Sequence, residues 1–327
     1  MRVFVTGATG FIGGKVARRL RARGDEVVAL VRSPGKASGL RDLGCELVEG
    51  GLGGAAAIVT GTKGADAVFH VAGDYRVGVT AADCDDMRAS NVQGTRTVLQ
   101  AAHDGGARRT VYVSTVGIFG NTRGEIVDET FRRDESKGFL SCYDETKYRA
   151  HLVAEEFIAN GDPVTIAAPG GVYGPEDHSA LGTLIEMARK GRMKWTPFGD
   201  LGITAAHVDD VADGIVAAHD RGRPGQFYVL AGPAVTQLDI ATTVTTIAGQ
   251  KPPRGNLPPR LIKLAIPFGP LVGRMMGLEP NLREMIRSAD GVTYWAKADK
   301  AAAELGWNPR GLEQGLRDTL AAEERAA

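Results

Sequence analysis

Tyr143 and Lys147 stand four residues apart in Tyr143-Asp144-Glu145-Thr146-Lys147. Ser141 to Asn160 reads as one helix, so the phenol and the ammonium share a face. A free tyrosine titrates at about 10, poorly matched to acid–base work at neutral pH. A cation one turn away stabilises the phenolate and is expected to lower that value. A hydroxyl from Thr115 or Ser114, after the strand Thr110–Val113, is placed to orient both a substrate and the phenolate. Such a trio suits proton transfer at a carbinol oxygen while a hydride moves to or from a nicotinamide. The spacing Y-x-x-x-K is also common on ordinary helix surfaces. Its weight comes from what lies upstream.

Upstream, Met1 to Val5 reads as a buried strand and Thr6-Gly7-Ala8-Thr9-Gly10 as a tight turn. From Phe11 or Ile12 the period changes, with Ile12, Val16 and Leu20 on one helix face. Helix-start N–H groups lack intrahelical partners and carry partial positive charge, so strand, glycine turn and helix in that order form a phosphate site. The glycines run Gly7, Gly10, Gly13, one residue longer in the first gap than G-x-G-x-x-G. Thr6, Gly7, Thr9, Gly10, Phe11 and Ile12 are therefore the candidate dinucleotide contacts. The second strand, Glu26–Val31, ends at Arg32, with Ser33 and Lys36 close behind. An acid there would hydrogen-bond a ribose 2′-hydroxyl and repel a 2′-phosphate. Arg32, Ser33 and Lys36 instead suit a phosphate, so NADP(H) is expected over NAD(H).

The remaining elements position these groups. Gly24 is a plausible stop for the first helix. Cys45–Val48 is a third strand, followed by a flexible turn, Gly50–Gly54, within a Gly/Ala patch reaching Ala57. Ala67–Gly73 is a fourth strand whose small residues, Ala72 and Gly73, let a backbone pass close to a ligand. His70 on that strand reads as a packed, hydrogen-bonded histidine. Asp86–His103 is helical, and Thr110–Val113 is the fifth strand. The order predicts an α/β fold with a doubly wound parallel sheet.

The chain has 327 residues, 43% hydrophobic and 24% charged, with 39 basic and 39 acidic side chains. That balance gives no footprint for nucleic acid. No apolar run is long enough to span a bilayer. With a strand at the start, no signal peptide is expected. Cys45, Cys84 and Cys142 are scattered and odd in number, so neither a disulfide framework nor a metal site is expected. A reducing cytoplasm is the expected location.

Thr6-Gly7-Ala8-Thr9-Gly10-Phe11-Ile12-Gly13, Asn91-Val92-x-Gly94-Thr95, Val113-Ser114-Thr115 and Tyr143-x-x-x-Lys147 together resemble the extended short-chain dehydrogenase/reductases. So do Gly171-Val172-Tyr173-Gly174-Pro175, His207-Val208-Asp209-Asp210-Val211-Ala212 and Leu305-Gly306-Trp307-x-Pro309. The resemblance covers nearly the whole chain, and Arg32 is similar to the NADP(H)-preferring, flavonoid-reductase-like branch. It implies a catalytic set of Thr115, Tyr143, Lys147 and Asn91. Tyr143 would be the acid/base, Lys147 would hold the nicotinamide ribose and tune Tyr143, and Asn91 would support the site. It also implies cofactor contacts at Leu52, Val71, Ala72, Gly73, Pro169 and Val172. It implies a Rossmann-type region over 1–168 and a smaller substrate region over 169–327, interleaved with late Rossmann elements at about 203–231. The third strand of the family usually ends Gly-Asp-Leu. Here Gly50-Gly51-Leu52 lacks the acid that meets the adenine.

Further along, Val164–Ala167 and Gln226–Leu230 read as strands and Gly182–Gly191 as a helix. Asp209 is the expected N-cap of a helix to Ala218. Leu257–Leu278, broken by Pro258, Pro259, Pro267 and Pro270, reads as short packed helices closing the substrate region, with a lid for an apolar substrate or a membrane-surface contact as the alternatives. The expected function is an NADP(H)-dependent oxidoreductase interconverting a small carbonyl and a secondary alcohol. Two alternatives stay open: a sugar-nucleotide epimerase or dehydratase holding NAD tightly, and a dinucleotide-sensing regulator without turnover. The resemblance further implies a homodimer across the Asp86–His103 and Ser141–Asn160 helices, burying Leu99, Leu152 or Phe157.

Overall fold

The computed structural model describes residues 1–257 and 281–326. The expected packing of 257–278 lies, beyond Leu257, outside the described residues. Seven parallel strands form the main sheet: β1 (Arg2–Thr6), β2 (Glu26–Val31), β3 (Glu46–Glu49), β4 (Ala67–His70), β5 (Arg109–Val113), β6 (Val164–Pro169) and β9 (Phe227–Leu230). Their order is β3-β2-β1-β4-β5-β6-β9. The chain thus winds outward from β1 in one direction, then returns to β4 and winds in the other. A crevice opens where the winding reverses, between β1 and β4 at their C-terminal ends.

Alternation along β1 shows why both faces are covered. Val3 and Val5 join one core cluster with Val16 and Leu20 of α1 (Phe11–Ala22) and Ile215 of α8 (Val208–Asp220). Phe4 points the other way, to Ile58 of α3 (Ala55–Thr62) and Val98 of α5 (Gly94–Asp104). On that second face, Tyr112 of β5 packs on Ala150, Val153 and Phe157 of α6 (Cys142–Ala159). Both strand faces are therefore apolar, as parallel sheets require.

A second sheet runs β10 (Ala234–Thr236), β8 (Gly202–His207), β11 (Thr293–Tyr294), with β7 (Gly171–Tyr173) also paired to β8. Helices α7 (Ala180–Arg189) and α9 (Gln237–Ile247) pack on this side, with Leu184, Ile185, Ile240 and Val244 in its core. Within the 203–231 stretch, β8 joins this second sheet, whereas α8 and β9 return to the first. Trp307 also returns to the main core, donating its indole N–H to the Ala231 carbonyl at 2.9 Å.

Several sequence expectations need correction. Gly50–Gly54 is a turn, as expected, but the helix that follows it, α3, was not expected. Gly54 is the N-cap of α3, whose Ala57 and Ile58 dock on the sheet. The α8 cap is His207 rather than Asp209: the His207 ring accepts the Asp209 N–H at 3.2 Å, and Asp209 sits in the first turn. The helix over Asp86–His103 is interrupted. α4 (Ala81–Arg88) meets α5 through a wide π-type turn over Ala89–Gln93. Cys84 in α4 and Cys142 in α6 form a disulfide, leaving only Cys45 as a free thiol. The pair is 58 residues apart, so only the docking of the two helices brings them together. Among the described residues, no helix is long and apolar enough to cross a membrane.

Candidate active site

The glycine turn meets the end of β4 at the crevice. Gly7 has φ +76°, and a Cβ there would lie 2.7 Å from the Ala72 backbone nitrogen. A Cβ on Gly13 would lie 2.1 Å from the Gly7 carbonyl oxygen. Only hydrogens fit at these two places, so α1 begins tight against the turn. The turn closes through the Gly10 N–H to the Gly7 carbonyl at 2.9 Å. Gly10 caps α1 without any side-chain bond, and the first turn holds no acid. The helix start therefore keeps uncapped N–H groups beside exposed Thr9 and half-buried Phe11 and Ile12, which fits the pyrophosphate of a dinucleotide.

Thr6 sits differently from the rest of the turn. It is buried, accepts the Ala72 N–H at 3.2 Å and lies 2.8 Å from the His70 ring. It ties β1 to β4. His70 is likewise fully enclosed, its other nitrogen 3.0 Å from the Thr95 hydroxyl, and burial first, then the Lys147 charge, pushes its pKa down to about 3. The packed, hydrogen-bonded reading of this histidine matches that placement. At the end of β2, Arg32, Ser33 and Lys36 are exposed, and Arg32 has no hydrogen-bond or ion-pair partner among the described residues. A Cβ on Gly51 would lie 3.6 Å from Arg32 Cγ, so the Arg32 stem passes over the place where the family's usual acid would stand. Leu52 packs beneath Gly94 of α5. Val71 and Ala72 are half-buried at the crevice, and Gly73 is exposed there. Pro169 closes β6 against Leu230, and Val172 of β7 packs on the edge of the main core.

Ser141 starts α6 by accepting the Asp144 N–H at 3.1 Å. This fixes Tyr143 in the first turn, where its ring meets Tyr75 edge-on at 4.6 Å between centroids. Thr115 follows β5, accepts the Gly117 N–H at 3.1 Å and hydrogen-bonds the Tyr143 phenol. Lys147 is 6% exposed. Its ammonium donates to the Val113 carbonyl at 3.0 Å and to the Tyr112 hydroxyl at 3.4 Å. Burial lowers its pKa to about 8. Asn91, in the π-type turn, accepts the Asp74 N–H at 2.7 Å and donates to the Asp74 carbonyl at 3.0 Å and to Thr146 at 3.1 Å. It clamps the chain after β4 to α6. A Cβ on Gly73 would meet both Asn91 Oδ1 and Lys147 Nζ at ordinary contact distance, so Gly73, Asn91 and Lys147 border one space.

The tyrosine pKa runs opposite to the expectation. Burial, then Tyr75, holds the Tyr143 phenol above its ordinary value, with the Thr115 hydroxyl pulling it back. The physical reason is where the ammonium points: Lys147 is bonded to the end of β5. The phenol is thus a proton-loaded donor here. The dimer contacts also need correction. Leu99 and Phe157 are already buried in the chain's own core, leaving only Leu152 of the three partly exposed. Tyr75, 57% exposed over the phenol, was not singled out in sequence, since nothing local marks it.

The model of the NAD dependent epimerase/dehydratase family matches residues 3–231. A 4-hydroxy-2-methyl-3-oxo-4-farnesyl-3,4-dihydroquinoline-1-oxide ketoreductase of Stigmatella aurantiaca is 32% identical over 98% of this chain and 96% of its own. A putative dihydroflavonol 4-reductase of Synechocystis is 30% identical over 97% of this chain and 93% of its own. The solved structure of gox2253 superposes with a TM-score of 0.83 at 32% identity, covering 99% of this chain and 98% of that one.

Proposed function

We propose that this chain, which belongs to the NAD dependent epimerase/dehydratase family and is an NAD(P)-dependent oxidoreductase of the extended short-chain dehydrogenase/reductase type, works as an NADP(H)-dependent ketoreductase. The observation that carries this reading is the Tyr143 phenol, bonded to Thr115 one helical turn from a buried Lys147 at the crevice. The relatives named a ketoreductase and a dihydroflavonol reductase support a carbonyl as the substrate group. Exposed Arg32, without a partner among the described residues, supports the 2′-phosphate form of the cofactor.

When bound, the dinucleotide supplies or takes the hydride. The uncapped start of α1 and the Gly7–Gly10 turn would hold its pyrophosphate, and Arg32, Ser33 and Lys36 its 2′-phosphate. Leu52, Val71, Ala72, Gly73, Pro169 and Val172 would line its course. Thr115 donates to the substrate carbonyl oxygen and keeps it beside the phenol. Tyr143 delivers its proton to that oxygen as negative charge develops there. The Lys147 ammonium steadies the phenolate left behind, and Asn91 keeps the Asp74 backbone and α6 in register. Tyr75 forms an aromatic wall over the phenol, suiting a substrate with an apolar or aromatic body.

The smaller sheet with α7 and α9 serves as the substrate region in this reading, divided from the nucleotide region near residue 168. A homodimer is retained, with Leu152 at its face. A cytoplasmic location now has the Cys84–Cys142 bond against it, because disulfides are rare in reducing compartments. The test is a panel of ketones with NADPH and NADH, together with identification of any dinucleotide retained on purification. NADPH-dependent alcohol formation is expected. Tightly retained NAD with no net ketone reduction would overturn the reading in favour of an epimerase or dehydratase.

A further inference from the structure

The groups that meet at the crevice ride on separate elements. The chain after β4 carries Tyr75, the chain after β5 carries Thr115, and the first turn of α6 carries Tyr143. One stretch of the smaller region, Asn281–Trp295, is bonded to each of these. Asn281 donates its N–H to the Gly78 carbonyl at 2.8 Å and its side-chain amide to the Val79 carbonyl at 3.3 Å, just beyond Tyr75. Thr122 donates its N–H to the Thr293 carbonyl at 2.8 Å, and Val127 donates to the Trp295 carbonyl at 3.1 Å. β11 is thereby stitched to the chain that continues from Thr115. The remaining contact is made by Glu284, which is 7% exposed. Its Oε1 accepts the N–H of Cys142, the residue before Tyr143, at 3.0 Å.

Local chemistry explains why this carboxylate turns toward another helix. Asn281 is the N-cap of the Leu282–Ala289 helix and accepts the Glu284 N–H at 3.2 Å. A glutamate at that place commonly reaches back to the N-cap N–H and closes a capping box. Here the Gly78 carbonyl has taken that N–H. The Glu284 side chain is left to reach outward, steadied on its other oxygen by the Asn281 amide at 3.3 Å. On the receiving side, Ser141 caps α6 through the Asp144 N–H. The Cys142 N–H, at the start of α6, has no acceptor within its own helix. A buried N–H left without one is costly, and Glu284 supplies it. Arg287, one turn further on, donates to the Leu140 carbonyl at 2.7 Å. The Leu282–Ala289 helix thus grips the chain on both sides of the α6 cap.

We propose that Glu284 is a positioning residue for the acid: by holding the Cys142 N–H it fixes the first turn of α6, and with it the Tyr143 phenol. The inference rests on the ketoreductase reading, because a reaction that uses this phenol makes its placement matter to turnover. The Cys84–Cys142 bond does not perform the same task. It joins α6 to α4 through one side chain, beside Val79 and Met87. A side-chain tether fixes one point, whereas a backbone bond from a second direction fixes how the turn is oriented. Tyr143 meets the Tyr75 ring at 4.6 Å between centroids, and Asn281 holds the Tyr75 chain from the same helix start. One helix start therefore sets the spacing of the acid and the wall above it. Burial is the main cause that keeps the phenol protonated, so a turn that swings outward loses the geometry and admits water together.

Two variants separate the bond from the charge. Glu284→Gln keeps the reach and an oxygen for the Cys142 N–H. Glu284→Asp keeps the charge and suits a helix start, but falls one methylene short. With NADPH and a ketone substrate, Glu284→Asp should lower kcat about 10- to 100-fold at unchanged KM for NADPH, the scale of a misplaced reacting group. Glu284→Gln should stay within about twofold of the parent. A second readout needs no turnover. In cofactor-free protein carrying 13Cζ-labelled tyrosine, the Tyr143 signal is the one absent from Tyr143→Phe. In Glu284→Asp that signal should move and titrate at lower pH than in the parent, toward the ordinary tyrosine value. In Glu284→Gln it should stay in place. A lower Tm in Glu284→Asp with parental kcat and a parental Tyr143 signal overturns the proposal, because the bond then only supports the fold. An equal fall of kcat in both variants overturns it too, because the charge then matters and the bond does not. If no ketone is reduced at all, the ketoreductase reading fails, while the Tyr143 signal still decides what Glu284 holds.

Discussion

Two cations frame the site and live in opposite surroundings. Arg32, at the end of β2, is exposed and has no partner among the described residues. Lys147, on α6, is buried, bonded to a backbone carbonyl and a hydroxyl, and titrates at about 8. An exposed cation keeps its hydration, is screened by salt and costs little to hold in readiness for an anionic ligand. A buried cation costs desolvation, so the fold supplies partners and the group becomes easy to deprotonate. The first arrangement suits recognition and the second suits proton chemistry. The difference comes from burial rather than from charge.

The largest expected effect is on the buried side. Tyr143→Phe should lower kcat by about 10²- to 10⁴-fold, the usual reach of general acid catalysis, with cofactor affinity nearly unchanged. Lys147→Met should lower both kcat and cofactor affinity. If dissociation constants from fluorescence titration move for Tyr143→Phe but not for Lys147→Met, the two roles are reversed.

Next comes the covalent tie beside this helix. Cys84→Ser should cost about 2–4 kcal/mol of stability, the usual worth of a disulfide, seen as a lower Tm that reductant imposes on the parent but not on the variant. A thiol count of three in the native, unreduced protein would remove this claim.

On the exposed side the effect is smaller. Arg32→Asp should weaken NADP(H) by about 1.5–3 kcal/mol, the scale of a charge-assisted contact. Gly51→Asp should weaken it in the same direction, because a carboxylate placed there meets the Arg32 stem. An unchanged ratio of NADP(H) to NAD(H) affinity in both variants would mean that Arg32 does not face the ribose.

The pH response sharpens the contrast further. Lys147 titrates at about 8 in the folded chain, against 10.5 for an ordinary lysine. Above about pH 8 it loses its proton, so reductive kcat should fall as pH rises through that value. Its contribution to stability has the opposite sign. Between about 8 and 10.5 the unfolded chain binds the extra proton, so this contribution rises with pH. Lys147→Met should remove the stability rise, measured by denaturant titration at pH 7 and 9.5. The smallest effect is at Thr115: a serine keeps the hydroxyl and should change kcat by only a few fold, whereas valine should resemble the loss of Tyr143.

Much of this molecule was readable one residue at a time. Glu26–Val31 forms a strand with the expected bounds, and the helix from Phe11 follows from Ile12, Val16 and Leu20. Tyr143 and Lys147 share α6, and the glycine turn precedes α1. Each feature depends on partners within about one helical turn or one strand, so local sterics and periodicity decide it. The tertiary structure decided what depends on distant partners. It made a helix, α3, of the residues after the Gly50–Gly54 turn by giving Ile58 a sheet to cover. It set β8 into the second sheet, moved the α8 cap to His207 and joined Cys84 to Cys142. It turned the Lys147 ammonium toward β5 and left the Tyr143 phenol protonated. A side chain's pKa and bonding depend on which other elements enclose it, and spacing along the chain does not determine that enclosure.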